Sequence, residues 1–180
     1  VKYADYALGQ FIKQAKESEY WQDTVFLIVA DHDIRVRGET LVPIKNFHIP
    51  GLILGGSIKP QEIETVTSQI DLPVTTLSLM GLSTDHPMIG RDMSQAQTSQ
   101  DSGRAMMQFE QNYAWMEGNE VVILRPQKEA VYGTYDKTNK TFAENNTFSA
   151  QRRAELYQQA LANVLLPAML YREKQYDLPG

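Results

Sequence analysis

Thr24-Val25-Phe26-Leu27-Ile28-Val29-Ala30-Asp31-His32 is the stretch that decides the fold. Seven uncharged residues, mostly β-branched or large and apolar, run directly into a carboxylate and an imidazole. A continuous apolar run of this kind reads as a strand buried on both faces. In open α/β sheets, ligands gather beyond the carboxyl ends of such strands. Asp31 and His32 arrive there side by side, and the polar stretch after them breaks the strand into a loop.

Upstream, Val1, Ala4, Leu8, Phe11, Ile12 and Ala15 recur at helical spacing, which predicts an amphipathic helix over residues 2–18. A helix followed by a buried, parallel-type strand is half of a βαβ unit, whose first strand would precede Val1. The chain therefore reads as a piece of a larger domain. Downstream, residues 31–48 are polar and irregular, and a loop of that length in a compact domain is more often functional than idle. Ile49–Leu54 reads as a second strand, with Pro50 tolerated near its start and Gly55-Gly56 ending it. Asp71 is expected to N-cap a helix opened by Leu72-Pro73, with Gly81 as its C′ residue. Residues 83–103 read as loop.

The pattern then changes. Met106–Phe109, Tyr113–Met116, Val121–Leu124 and Ala130–Tyr135 are short strands separated by Gly-Asn and Pro-Gln turn signals, which predicts an antiparallel meander at the sheet edge. Tyr157, Ala160, Leu161, Val164, Leu165 and Ala168 return to helical spacing, with Ser149 as N-cap. Pro167 is expected to kink or split this last helix.

The 180 residues suffice for one domain with a core, and 42% apolar and 22% charged residues are ordinary for a globular protein. A net charge of -5 argues against nucleic-acid binding, which wants a basic patch. The absence of cysteine excludes disulfides and thiolate metal sites. No run approaches the roughly 18–20 apolar residues of a membrane span.

Asp31 and His32 are the candidate metal ligands. A carboxylate oxygen with an imidazole nitrogen suits Mn²⁺ or Zn²⁺ better than Mg²⁺ or Ca²⁺, which prefer all-oxygen shells. Such an ion would activate a nucleophile and offset charge on a phosphate or sulfate oxygen. A structural reading stands beside it, with Asp31 as a loop cap and His32 as a solvated side chain. His48, directly before the second strand, can return to the same sheet end or serve structurally at the strand entrance. Arg35, Arg37 and Lys45 lie in the long loop, where guanidinium groups suit an anionic substrate and a solvated loop face is the alternative. His86, within Asp85-His86-Pro87, reads as a turn residue.

Several segments together resemble a known family. They are Tyr3-Ala4-Asp5-Tyr6-Ala7-Leu8-Gly9, Val29-Ala30-Asp31-His32-Asp33 and Phe47-His48-Ile49-Pro50-Gly51-Leu52-Ile53. After them come Ser68-Gln69-Ile70-Asp71-Leu72-Pro73-Val74-Thr75-Thr76-Leu77 and Ile89-Gly90-Arg91-Asp92-Met93. In this order they resemble the C-terminal half of the sulfatase and alkaline-phosphatase superfamily, in its lipoteichoic-acid-synthase-like phosphoglycerol transferase branch. The resemblance covers roughly residues 1–95. It implies an α/β fold with an alkaline-phosphatase-like sheet and flanking helices. Residues 1–104 would be the C-terminal half of the catalytic domain, and residues 105–180 a meander and helix packed on it. Asp31 and His32 would bind the catalytic divalent metal, while the other ligands and a Thr or Ser nucleophile would lie in the missing N-terminal half. The substrate would be an anionic, lipid-linked or polymeric ester, contacted by Arg35, Arg37 and His48. The enzyme would act outside the cytoplasmic membrane, anchored by upstream transmembrane helices. Hydrolysis of sulfate or phosphate esters is the alternative on the same scaffold, and a non-catalytic domain that binds an envelope polymer or partner is the alternative in kind. Asp33 stands where many relatives of this branch carry Gly, a departure in the loop after the pair.

Overall fold

The computed structural model describes residues 2–33, 41–94 and 102–176. It opens with helix α1, Lys2–Lys16, and a 3₁₀ turn at Glu19–Asp23, which lead into β1, Phe26–Val29. A second 3₁₀ turn, Ile44–Phe47, precedes β2, Gly51–Leu54. A third, Gln69–Asp71, runs into helix α2, Leu72–Leu79. The second half holds β3 (Arg104–Phe109), β4 (Asn112–Glu117), β5 (Glu120–Arg125), β6 (Lys128–Asp136) and β7 (Thr141–Glu144), followed by helix α3, Ala150–Arg172.

β1 departs from its sequence reading. It pairs antiparallel with β2, Phe26 opposite Leu54 and Val29 opposite Gly51, where a parallel neighbour was expected. It also buries one face only. Phe26 stacks on Trp21 at 5.4 Å between ring centroids and meets Phe11 edge-on at 5.9 Å, while Leu27 and Val29 on the other face stay 36% and 37% exposed. α1 repeats the pattern: Ala15 is its one buried residue, and Tyr3, Tyr6 and Phe11 are exposed. An apolar run shows that a strand can be covered on both sides, but the covering segment must be present to do it.

The meander is a separate five-stranded antiparallel sheet in sequential order, not an edge of the first. An isolated parallel bridge, Val66 to Gly103, and a hydrogen bond from Arg104 N–H to the Val66 carbonyl at 2.9 Å link its start to the first half. Both its faces are covered. One packs Met107, Ala114, Val121 and Ile123 against Val42 and Ile44 from the segment before β2. The other packs Trp115 and Val122 against Leu156 and Ala160 of α3. The central strand β5 therefore buries Val121, Val122 and Ile123 in succession, each fully. Pro126 and Gln127, with Gln127 at φ 53°, make the turn to β6, where proline presets the first corner and a positive φ completes the second.

β7 was missed in the sequence. It lies beside β6 with Phe142 over Gly133, where a Cβ would sit 2.5 Å from the Phe142 ring. α3 begins at Ser149, whose hydroxyl accepts from Arg152 N–H as expected of an N-cap. Its buried residues are Leu156 and Ala160, whereas Tyr157 and Leu165 of the expected stripe are exposed. Arg152 joins this helix to the sheet through Glu117 at 2.5 Å and Glu120 at 2.6 Å. Pro167 neither splits nor ends α3. It lies among the exposed residues Leu165–Met169, where water can satisfy the carbonyl left without its partner.

One buried carboxylate ties the two halves together. Asp71 is fully buried. It does not cap α2 through its side chain, as the sequence suggested. Its Oδ2 accepts instead from Ser68 N–H at 2.9 Å, closing the turn behind it, because its backbone is already helical. Its Oδ1 accepts from Arg91 N–H at 2.8 Å and from the Arg104 guanidinium at 3.1 Å. Arg104 also donates to the Ile89 carbonyl and lies over the Trp115 ring. Gly90 is required for this approach, since a Cβ there would meet the Ile70 carbonyl oxygen at 1.9 Å.

Two outcomes follow for stability. Ile123→Ala should cost about 2–5 kcal/mol, as buried large-to-small changes do, while the exposed Leu52→Ala should stay within about 0.5 kcal/mol. Asp71→Asn removes one charge of a buried pair and turns an amide N–H₂ against a backbone N–H, so it should cost about 3–5 kcal/mol. Urea unfolding followed by Trp fluorescence reads all three.

Candidate metal centre

Ladder pairing between β1 and β2 ends where Ala30 N–H donates to the Pro50 carbonyl at 3.3 Å. The next two residues, Asp31 and His32, project from the strand end with side chains 87% and 67% exposed. Their local bonds fix the chemistry of the imidazole. His32 N–H donates to Asp31 Oδ1 at 2.9 Å. His32 Nδ1 lies 2.8 Å from the Asp33 carbonyl oxygen. A carbonyl only accepts, so Nδ1 is the donor in this contact, which in the neutral tautomer places the ring's lone pair on Nε2.

That is the arrangement of a metal-ligating histidine, whose second ring nitrogen is held by a backbone carbonyl. Nε2 and Asp31 Oδ2 are 3.5 Å apart. Two ligand atoms on one tetrahedral ion, bonded at ~2.1 Å, are separated by roughly 3.4 Å. The donor set and its spacing thus fit one edge of a borderline-metal shell. Among the described residues no third His, Cys, Asp or Glu joins them.

The backbone under the pair is held from a distance. Gln69 Nε2 donates to the Ala30 carbonyl at 2.8 Å and to the Asp31 carbonyl at 3.2 Å. Gln69 belongs to the turn closed by Asp71, so the buried carboxylate and the exposed pair are three short links apart. Neither Gln69 nor the Asp71 cluster was identified from sequence as part of the site. Only the spacing Ser68…Asp71, that of a capping box, hinted at a built turn there.

The other candidates divide. His48 follows the turn Ile44–Phe47 and is exposed. It lies two residues before Pro50, whose carbonyl receives Ala30 N–H, so it reaches the same end of the two-stranded sheet as Asp31 and His32. Lys45 is exposed within that turn. Arg35 and Arg37 lie outside the described residues. His86 lines a cavity of about 380 Å³ at the end of α2, together with Ser78 and Asp92. Asp33, in the position of the departure, lends its carbonyl to the imidazole, a contact for which its side chain is not needed.

Residues 1–82 match the Sulfatase family. Over 99% of its length the chain also matches the crystal structure of a protein in the alkaline phosphatase superfamily from Vibrio parahaemolyticus, at 38% identity and a TM-score of 0.89. The chain spans 42% of the length of that structure. With an α/β architecture, an Asp-His turn at a strand end and a neighbour this similar throughout, the chain has a sulfatase and alkaline-phosphatase-like fold.

Proposed function

We propose that this chain is the metal-ligating part of a sulfatase-like enzyme of the bacterial envelope that transfers phosphoglycerol groups. The observation that carries this is the His32 ring, held at Nδ1 by the Asp33 carbonyl with Nε2 exposed 3.5 Å from Asp31 Oδ2 at the strand end. Asp31 and His32 would hold the ion. Bound there, Mn²⁺ or Zn²⁺ supplies positive charge to a phosphate oxygen and favours deprotonation of a hydroxyl.

The remaining ligands and the nucleophile, a Thr or Ser hydroxyl, come in this reading from an N-terminal segment outside this chain. One observation supports such a segment: Leu27 and Val29, on one face of the β1–β2 sheet, stay exposed among the described residues. The hydroxyl oxygen attacks phosphorus and a P–O bond to the enzyme forms as the bond to the donor alcohol breaks; the hydroxyl proton ends on that alcohol. An acceptor alcohol then attacks the enzyme ester, forms the new P–O bond and returns a proton to the enzyme oxygen. His48, on the same sheet end, together with Arg35 and Arg37, would bind the anionic group of a lipid-linked or polymeric substrate. Among the described residues no helix is long and apolar enough to cross a membrane. In this reading, upstream helices anchor the domain on the outer side of the cytoplasmic membrane.

The test belongs in the full-length enzyme. Asp31→Asn and His32→Gln keep shape while weakening or removing a ligand. Both should lose bound Mn or Zn by elemental analysis and lower transfer from a phosphatidylglycerol donor by on the order of a hundredfold or more, several kcal/mol of transition-state stabilisation. Parental metal content and rate in either variant would refute the site. Metal-dependent release of sulfate or phosphate to water, with no transfer to an acceptor, would replace transfer by hydrolysis.

A further inference from the structure

We infer that Gln69 is a positioning residue for the Asp31-His32 metal pair, an inference that rests on the metal-binding reading above. The β1–β2 ladder ends at the Val29–Gly51 pair, and the carbonyls of Ala30 and Asp31 lie just beyond it. Gln69 Nε2 takes both, at 2.8 and 3.2 Å, across 39 and 38 residues of sequence. The orientation of its amide is dictated by its partners: two carbonyl oxygens accept only, so the N–H₂ end must face them. One side chain thereby fixes two successive peptide planes, the ones that set the direction of the Asp31 and His32 side chains.

Gln69 can act as a fixed point because its own backbone is fixed. Asp71 N–H donates to the Ser68 carbonyl and Ser68 N–H to the Asp71 carboxylate, both at 2.9 Å, so the turn that carries Gln69 is closed from both sides. Asp71 is in turn clamped by Arg91 N–H and the Arg104 guanidinium. Yet the two Gln69 bonds lie at an exposed site, where water can replace them in the unligated protein. Their loss should therefore cost the fold little and the ion much, because ligands that must be brought into register on binding bind more weakly than ligands already there.

The experiment uses the full-length protein, Mn²⁺ as probe, and the electron paramagnetic resonance signal of free Mn²⁺ to read affinity without turnover. Gln69→Met keeps length and removes both donors. It should raise the Kd for Mn²⁺ roughly tenfold or more, the usual effect of an outer-shell partner, with the melting temperature of the metal-free protein unchanged. Gln69→His restores a neutral donor and should recover most of the affinity. His32→Gln, measured alongside, should abolish binding. Parental affinity in Gln69→Met, with binding lost in His32→Gln, would overturn the positioning role and leave the metal site standing. A lowered melting temperature in Gln69→Met with no recovery in Gln69→His would make Gln69 structural and overturn it too. Retained binding in His32→Gln would bring down the metal site and this role with it.

Discussion

The buried carboxylate of Asp71 is the constraint on which the arrangement depends. An ionised carboxylate without water is costly, and the cost is offset here by two backbone N–H groups and one guanidinium. Each donor comes from a different segment: Ser68 from the turn itself, Arg91 from twenty residues on, and Arg104 from the first strand of the meander. The pair adds little net stability over a well-packed apolar substitute, but once Asp71 is in place none of its partners can leave cheaply. It therefore acts as a registration device. It fixes the turn that holds Gln69, and through Gln69 the strand end that carries Asp31 and His32.

Two apolar runs of the same kind met different fates. Val121-Val122-Ile123-Leu124 and Phe26-Leu27-Ile28-Val29 both lack polar alternation. The first is the middle strand of five, with the Val42–Ile44 segment on one face and α3 on the other, and buries Val121, Val122 and Ile123 fully and Leu124 in part. The second has one strand neighbour among the described residues, and its Leu27 and Val29 stay exposed. Periodicity reports the capacity of a strand for burial, which is a property of residues. Coverage is a property of the whole assembly of segments, which a local pattern does not encode. α1 fails in the same manner: Leu8 stays exposed, and Phe11 remains largely exposed although it meets Phe26 edge-on.

The site was legible to a similar depth. Asp31 and His32 stood out because a buried-type run ending in two ligand-type residues is a local feature. The tautomer of His32 was not readable, since it depends on where a backbone carbonyl points. Asp71 was found for a sound reason, its placement before Leu-Pro, but its role was misread. Its helical backbone angles leave its carboxylate behind the turn and not over the first free N–H groups of α2. Gln69 was legible only as part of the Ser68–Leu77 segment that carries the resemblance, and no role for it could be read there. A glutamine before an apolar residue has no periodicity or spacing to mark it, and its meaning lies in two carbonyls 38 and 39 residues away. β7 shows the same limit, since Thr-Phe-Ala-Glu becomes a strand through the space over Gly133 and not through its own propensity.

The geometry also explains how so exposed a pair can be chemically definite. Solvent around Asp31 and His32 screens their interaction and gives each side chain room to rotate. Isolated from a sheet, such a dipeptide would sample many relative orientations and hold an ion only by ordering itself first. Here the ordering is supplied on three sides: Asp33 holds the ring nitrogen, Asp31 Oδ1 takes the His32 N–H, and Gln69 holds the peptide planes beneath. None of these contacts uses Nε2 or is needed by the free lone pairs of Asp31 Oδ2. Exposure of the candidate ligand atoms and fixation of what lies behind them are compatible, because each fixing bond involves a backbone group and leaves Nε2 and Oδ2 at the surface. A strand end is where both conditions can be met, since only there has the backbone left the ladder while its neighbours still hold it.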